Sequence, residues 1–348
     1  MFSLTKTKNL SAMLDRAPVE VSASGDTATT PYLVKPQAHG SLGDLPYVNA
    51  AEEPSAVVFS RRGSDGNWRG VTAAEFAAEV TAVAKGLIAS GIEPGDRIAL
   101  MSRTCYEWTL LDFATWAAGA VLVPLYPTAS AQQAAAILRD ARVTMVFAED
   151  EACADVLAAA FLDPRRLDQG AIRLLTGLGS ALPDDEVTRR RSALGPDSIA
   201  TIIYTSGTTG EPKGAPLTHG NFLDAGANCT ALLRPVFDSV SGQAPCTLLF
   251  LPLAHVLGRT IEVSCVQARI RLGHSPSIKP AELRPDLESF GATFLVGVPY
   301  LFEKIHQLGR SDAAAMHATR VYDRATQVAV RYGSQALRAL AGDGPGPS

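Results

Sequence analysis

The residues best suited to chemistry crowd into one stretch, YTSGTTGEPKGAPLTHGNF, running from Tyr204 to Phe222. Gly207, Gly210 and Gly214 open backbone geometries closed to other residues and let a ligand approach the main chain. Thr205, Ser206, Thr208 and Thr209 add hydroxyls that donate hydrogen bonds and suit Mg²⁺, with Thr209 the candidate metal contact. Lys213 adds a point charge matched to a phosphate oxygen. Together they suit a polyphosphate. The bland alternative is a surface turn, because such residues are common in turns. A Walker A loop is excluded by its own spacing: Pro212 stands where the second glycine belongs, and Gly214 rather than Ser or Thr follows Lys213.

Such a loop needs a scaffold. The 348 residues suffice for two domains, or one large domain with two cores. The pattern over residues 55–72 reads as a β-hairpin turning at Asp65-Gly66. Thr72 and Glu75 form a capping box for a helix that ends near Ser90, with Gly91 just beyond it. Helix and strand then alternate: Cys105–Ala118 helical, Val121–Leu125 extended, Ser130–Ala141 helical, Val143–Ala148 extended. A second series begins with a strand at Ile199–Thr205, a helix at Thr218–Leu233 and a strand at Cys246–Leu251. A helix at Ala281–Phe290, a strand at Ala292–Val298 and a helix at Tyr300–Leu308 complete it. This alternation predicts an α/β fold of two doubly wound βαβ subdomains. The expected division is an irregular leader over 1–50, a first subdomain over 51–180, and a second over 197–310 that carries the phosphate loop. One long helix and a Gly/Pro tail over 311–348 follow. The segment between the subdomains, with Asp184-Asp185-Glu186 before Arg189-Arg190-Arg191, reads as a solvated surface loop.

Bulk properties exclude several functions. A net charge of −4 gives no electrostatic case for nucleic acid. Five scattered cysteines with no CxxC spacing support neither a disulfide framework nor a zinc site, and fit a reducing cytoplasm. No apolar run is long enough to span a bilayer, which leaves peripheral membrane contact open.

Read whole, Tyr204–Phe222 closely resembles the signature of the AMP-binding, adenylate-forming superfamily. The segments WRGVTAAEFAAEVTAVAKGL, WAAGAVLVPLYPT, LPLAHVLGRTIE and VGVPYLFEKI resemble further family motifs in the family's order. The last two look most like the long-chain fatty acid–CoA ligase branch. The resemblance runs from about Ala56 to Arg338. It implies that a fatty carboxylate attacks the α-phosphate of MgATP to give an acyl-adenylate, from which CoA thiolate displaces AMP. It places the loop on the β- and γ-phosphates, His255 beside the carboxylate, and Gly297, Val298 and Pro299 along an acyl tunnel. Without that context His255 reads as a structural histidine, Arg259 as an ion-pair partner of Glu262, and 292–298 as any buried strand. His219 reads as part of a helix cap. The family's adenine- and ribose-binding segments, its metal-binding Glu, its C-terminal domain and its catalytic Lys have no counterpart here. The chain thus reads as the N-terminal portion of such a ligase. The alternative is a binding module for nucleotide or fatty acid that does not turn over.

Overall fold

The computed structural model describes residues 20–63, 65–160, 164–205, 212–239 and 243–340. Its centre is a six-stranded sheet ordered β10-β9-β6-β5-β7-β8. The strands are β5 (Arg97–Met101), β6 (Val121–Leu125), β7 (Val143–Ala148), β8 (Arg165–Arg166), β9 (Ile199–Thr205) and β10 (Lys213–Thr218). All neighbours run parallel except β10, which turns back along β9. β6 is buried along its whole length, as a parallel strand covered on both faces must be. A four-stranded sheet ordered β11-β12-β3-β4 stands beside it, built from β3 (Val57–Arg62), β4 (Trp68–Thr72), β11 (Cys246–Leu249) and β12 (Arg271–His274). A two-stranded ribbon, β1 (Glu20–Val21) with β2 (Ala28–Thr29), precedes both.

The helices fall where caps and turns place them. α1 (Leu45–Glu52) leads to the β3–β4 hairpin, whose Gly66 takes the positive φ its turn requires. α2 (Ala73–Ala89) opens on the Thr72–Glu75 capping box and stops before Gly91 at φ 91°. α3 (Tyr106–Ala117) is buried at every position but Glu107, so its Thr109, Asp112 and Thr115 are polar groups inside the core. α4 (Ala131–Asp140), α5 (Glu151–Ala158) and α6 (Gln169–Gly179) follow. α2 and α6 press together at two glycines: a methyl on Gly86 would lie 2.2 Å from the Leu175 carbonyl oxygen, and one on Gly179 2.4 Å from the Gly86 nitrogen.

Several expectations from the sequence are corrected. The stretch at the supposed subdomain boundary forms α7 (Asp184–Ser192), with acids in its first turn and arginines in its last, as the helix dipole favours. Arg190 is buried there and donates to the Ile92 carbonyl at 2.6 Å, so the charge run is no solvated loop. Nor does that boundary separate the sheets. The early hairpin β3–β4 joins late strand β12, while β9 and β10 join the early sheet. The leader ends in packed structure: Leu42 is fully buried, and Asn49 on α1 donates to the Val266 carbonyl at 2.8 Å. Residues 292–298 form no strand. They run beside β11, joined to it by one backbone bond, Thr293 N to Cys246 O at 2.9 Å, and otherwise through the Thr293 and Thr247 side chains. α10 (Pro280–Phe290) precedes them, and the two helices expected at Tyr300–Leu308 and from 311 onward divide later than the sequence suggests, as α11 (Pro299–Ala315) and α12 (Thr319–Leu340). His317 at φ 56° closes a Schellman turn between them, with Ala318 N bonded to Ala313 O and His317 N to Ala314 O. The Gly/Pro tail lies outside the described residues.

Candidate active site

The phosphate-loop candidates begin at the foot of a hairpin. Thr205 ends β9 and stands opposite Lys213, the first residue of β10. The sequence suggested a strand, loop and helix in direct succession; a second strand intervenes before α8 (His219–Ser239). Ser206, Gly207, Thr208, Thr209 and Gly210 lie outside the described residues. Thr205 lines a cavity of about 300 Å³ together with Tyr126, Thr128, Gln133, Tyr204 and Pro212. Tyr204 donates from its hydroxyl to Asp140, and burial with that carboxylate beside it raises its pKa.

His255 sits in a different wall. β11 delivers the chain into LPLAH, and His255 becomes the N-cap of α9 (Val256–Gln267). Its Nδ1 accepts from the Leu257 amide at 3.2 Å, which leaves the proton of a neutral ring on Nε2, free to donate elsewhere. Gly258 makes this turn possible, since a Cβ there would lie 2.4 Å from the Pro252 carbonyl oxygen. His255, Gly258, Phe250, Leu301 and Val298 line a mostly apolar cavity of about 340 Å³. Val298 caps α11 (Pro299–Ala315), with Pro299 at the first helical position, where its missing N–H costs nothing. Gly297 packs behind it, its Cβ position 3.2 Å from Leu301. His255 and Val298 are therefore brought together in one cavity, and Thr205 borders the other.

Tyr126 lines both cavities. The sequence reading passed over it, although its place directly after the buried strand Val121–Leu125 is where parallel sheets present ligand contacts. Lys279 and Lys304, at the border of the apolar cavity, were also missed. No spacing rule links either to the site.

Two polar residues resolve differently from expectation. His219 is buried and accepts from the Leu42 amide through Nδ1 at 3.2 Å, and burial lowers its pKa to about 4. The cap beside it belongs to Thr218 and Asn221, which bond each other reciprocally. Arg259 pairs not with Glu262 but with Asp112 of α3, through Nη2 at 2.5 and 2.7 Å and Nε at 3.1 Å. The i,i+3 spacing misleads because the Arg259 fork points across to α3. Glu262 instead accepts from Thr109, whose hydroxyl also meets His274 Nε2 at 2.9 Å. Burial, and then the charge of Asp112, pushes the Glu262 carboxyl up to about 8. Burial pushes Asp112 up to about 6 against the pull of Arg259, and takes His274 down to about 3.

All five cysteines are free thiols. Among the described residues no cluster of His, Cys, Asp or Glu could hold a metal ion, and no helix is long and apolar enough to cross a membrane.

A family model described as AMP-binding enzyme matches residues 47–345. The chain is 37% identical over 310 residues to long-chain-fatty-acid–CoA ligase FadD15 of Mycobacterium bovis, a match covering 84% of this chain and 49% of that protein. It is 29% identical over 281 residues to a feruloyl-CoA synthase of an Amycolatopsis species, covering 80% and 53% respectively. A crystal structure of a candidate long-chain-fatty-acid CoA ligase from Rhodopseudomonas palustris shares the fold at TM-score 0.63 and 26% identity, covering 77% of this chain and 65% of that one. The chain spans about half the length of the curated relatives it matches.

Proposed function

The chain belongs to the AMP-binding enzyme family, and on that footing we propose that its site serves ATP-dependent activation of a long-chain fatty acid and transfer of the acyl group to CoA. In the first half-reaction a carboxylate oxygen bonds to the α-phosphorus of ATP and pyrophosphate leaves with the electron pair of the broken P–O bond. In the second, CoA thiolate bonds to the acyl carbon and AMP leaves.

The observation that carries this reading is Tyr126, which lines both the apolar cavity and the cavity at the foot of the phosphate loop. An acyl chain in the first and a nucleotide phosphate at the second would meet beside that residue. His255 supports the same arrangement, since its Nε2–H is free to donate to a carboxylate while Nδ1 holds the turn. Lys213 would offset part of the charge on the leaving pyrophosphate, and the loop hydroxyls would donate hydrogen bonds to it. Mg²⁺ favours six oxygens and keeps several of its waters. Thr205 and Thr128 offer hydroxyls at this cavity, and no carboxylate cluster joins them among the described residues, a donor set that fits an ion delivered by ATP itself, with Thr209 the proposed contact in the loop. The 37% identity to FadD15 favours long aliphatic acids, and the 29% identity to a feruloyl-CoA synthase marks aryl acids as the competitor.

Carboxylate-dependent ATP–pyrophosphate exchange by the purified chain is the test. Exchange should appear with hexadecanoate, exceed that with ferulate, and fall by about tenfold or more in Lys213→Ala, which removes one charge-assisted contact. Exchange with ferulate alone would overturn the fatty-acid assignment. Binding of MgATP and fatty acid without exchange would instead support a binding module.

A further inference from the structure

Arg259 is fully buried, as is the Asp112 carboxylate that it grips. Its guanidinium lies within 5.3 to 5.6 Å of the ring centres of Trp108, Trp116 and Phe222. Burying such a pair gains little stability over apolar residues of the same volume. A bidentate fork does, however, fix the orientation of whatever it joins. What it joins is specific.

Arg259 Nη1 also donates to the Thr201 hydroxyl on β9, and that hydroxyl donates onward to the Leu122 carbonyl of β6 at 2.7 Å. Leu122 and Thr201 are partners in the sheet register. Arg259 itself is one helical turn from the cap of α9, its amide bonded to the His255 carbonyl at 3.3 Å. Three elements therefore converge on one guanidinium, and each carries a cavity-lining residue four positions away: Tyr126 beyond Leu122, Thr205 beyond Thr201, and His255 before Arg259. We infer that Arg259 is a positioning residue, whose links to Asp112 and Thr201 hold the walls of the two cavities in a fixed relation. It touches no substrate. It sets where Tyr126, Thr205 and His255 stand relative to one another.

The hydroxyl of Thr201 is the member to remove, because it joins β9 to both the guanidinium and β6 while leaving the Arg259–Asp112 pair in place. Hydrogen–deuterium exchange on the whole chain reads the result and needs no turnover, so it succeeds or fails separately from the adenylation reading. In Thr201→Val, peptides covering 122–128, 201–205 and 255–259 should all exchange about tenfold faster, the change expected when one hydrogen bond to a charged group is lost from an opening equilibrium. Peptides from the middle of α2 should not change. Thr201→Ser, which keeps the hydroxyl, should restore all three regions. Faster exchange confined to 201–205, no change in any of the three, or a serine variant no better than valine would each overturn the inference. Thr201→Ala, read on the same peptides, serves where valine prevents folding.

Discussion

Gly258→Ala asks whether the first turn of α9 is as tightly seated as its geometry requires. A β-carbon there would stand 2.4 Å from the Pro252 oxygen, 3.0 Å from its carbon and 3.3 Å from the Leu251 oxygen, whereas ordinary contact begins at 3.4 Å. The obstructing atoms are backbone, so relief demands a shift of about 1 Å in the helix start or in the LPLAH segment, at the ~1–3 kcal/mol typical of overpacking. Alanine returns up to about 1 kcal/mol of helix propensity. The balance is a net loss of about 1 kcal/mol. Gly333 on α12 supplies the contrast, with nothing within 4 Å of its Cβ position. There the same substitution should stabilise by ~0.5–1 kcal/mol. Urea unfolding with an unchanged slope should separate the two variants by about 2 kcal/mol. The displaced turn carries His255, so displacement of a fluorescent fatty acid from the apolar cavity should also weaken about tenfold or more in Gly258→Ala, because errors near 1 Å are costly in an aligned site. If Gly258→Ala matched Gly333→Ala in stability and bound the acid as the parent does, the close contact at Pro252 would not be holding the turn.

Burial lowers the His219 and His274 pKa values to about 4 and about 3. Both rings fold neutral, so the stability they add is full above the unfolded value near 6.5 and falls as pH drops below it, by about 1.4 kcal/mol per pH unit for each ring. Urea midpoints between pH 7 and 4.5 should show that slope, and His219→Gln should flatten part of it. Glu262 works the other way: its folded pKa is raised to about 8, so its contribution is full below pH 4.5 and is lost as pH rises toward 8. Glu262→Gln, which mimics the protonated acid, should therefore stabilise the fold by about 1 kcal/mol or more at pH 8 and change it little at pH 4.5. Gly86→Ala should destabilise by about 1–3 kcal/mol in the same assay, since the new methyl would meet three backbone atoms of Leu175 at 2.2 to 3.0 Å.

Strands buried on both faces were legible because only apolar, turn-bounded runs can occupy such places; Val121–Leu125 and Val143–Ala148 carry the boundaries the sequence suggests. The capping box at Thr72 was equally plain, being a local interaction between near neighbours. What the sequence hid was long-range. Nothing in the spacing of Arg259 reveals Asp112, 147 positions earlier. The arginines of α7 read as surface because the pattern cannot show that Arg190 has the Ile92 carbonyl to meet. In Ala292–Val298 the alternation is strand-like, but after a single backbone bond from Thr293 N to Cys246 O the Thr293 and Thr247 side chains make the remaining links to β11. Within the candidate site the stretch Tyr204–Phe222 stands out by residue type alone, with Ser206–Gly210 outside the described residues, while Tyr126 gains its place only from the cavities that form on either side of it.

The pairing of β3 with β12 also governs how the chain is made. Thr72 ends the early hairpin and Arg271 begins the strand that completes its sheet, so 271 − 72 − 1 = 198 residues must be synthesised between them. At ~5–20 residues per second the ribosome takes about 10–40 s to supply them. Through that interval Phe59 and Val58, buried in the finished molecule, await their partners beside an unpaired strand edge. The nascent chain therefore presents, early and for many seconds, a hairpin with one strand edge unpaired and Val58 and Phe59 not yet covered.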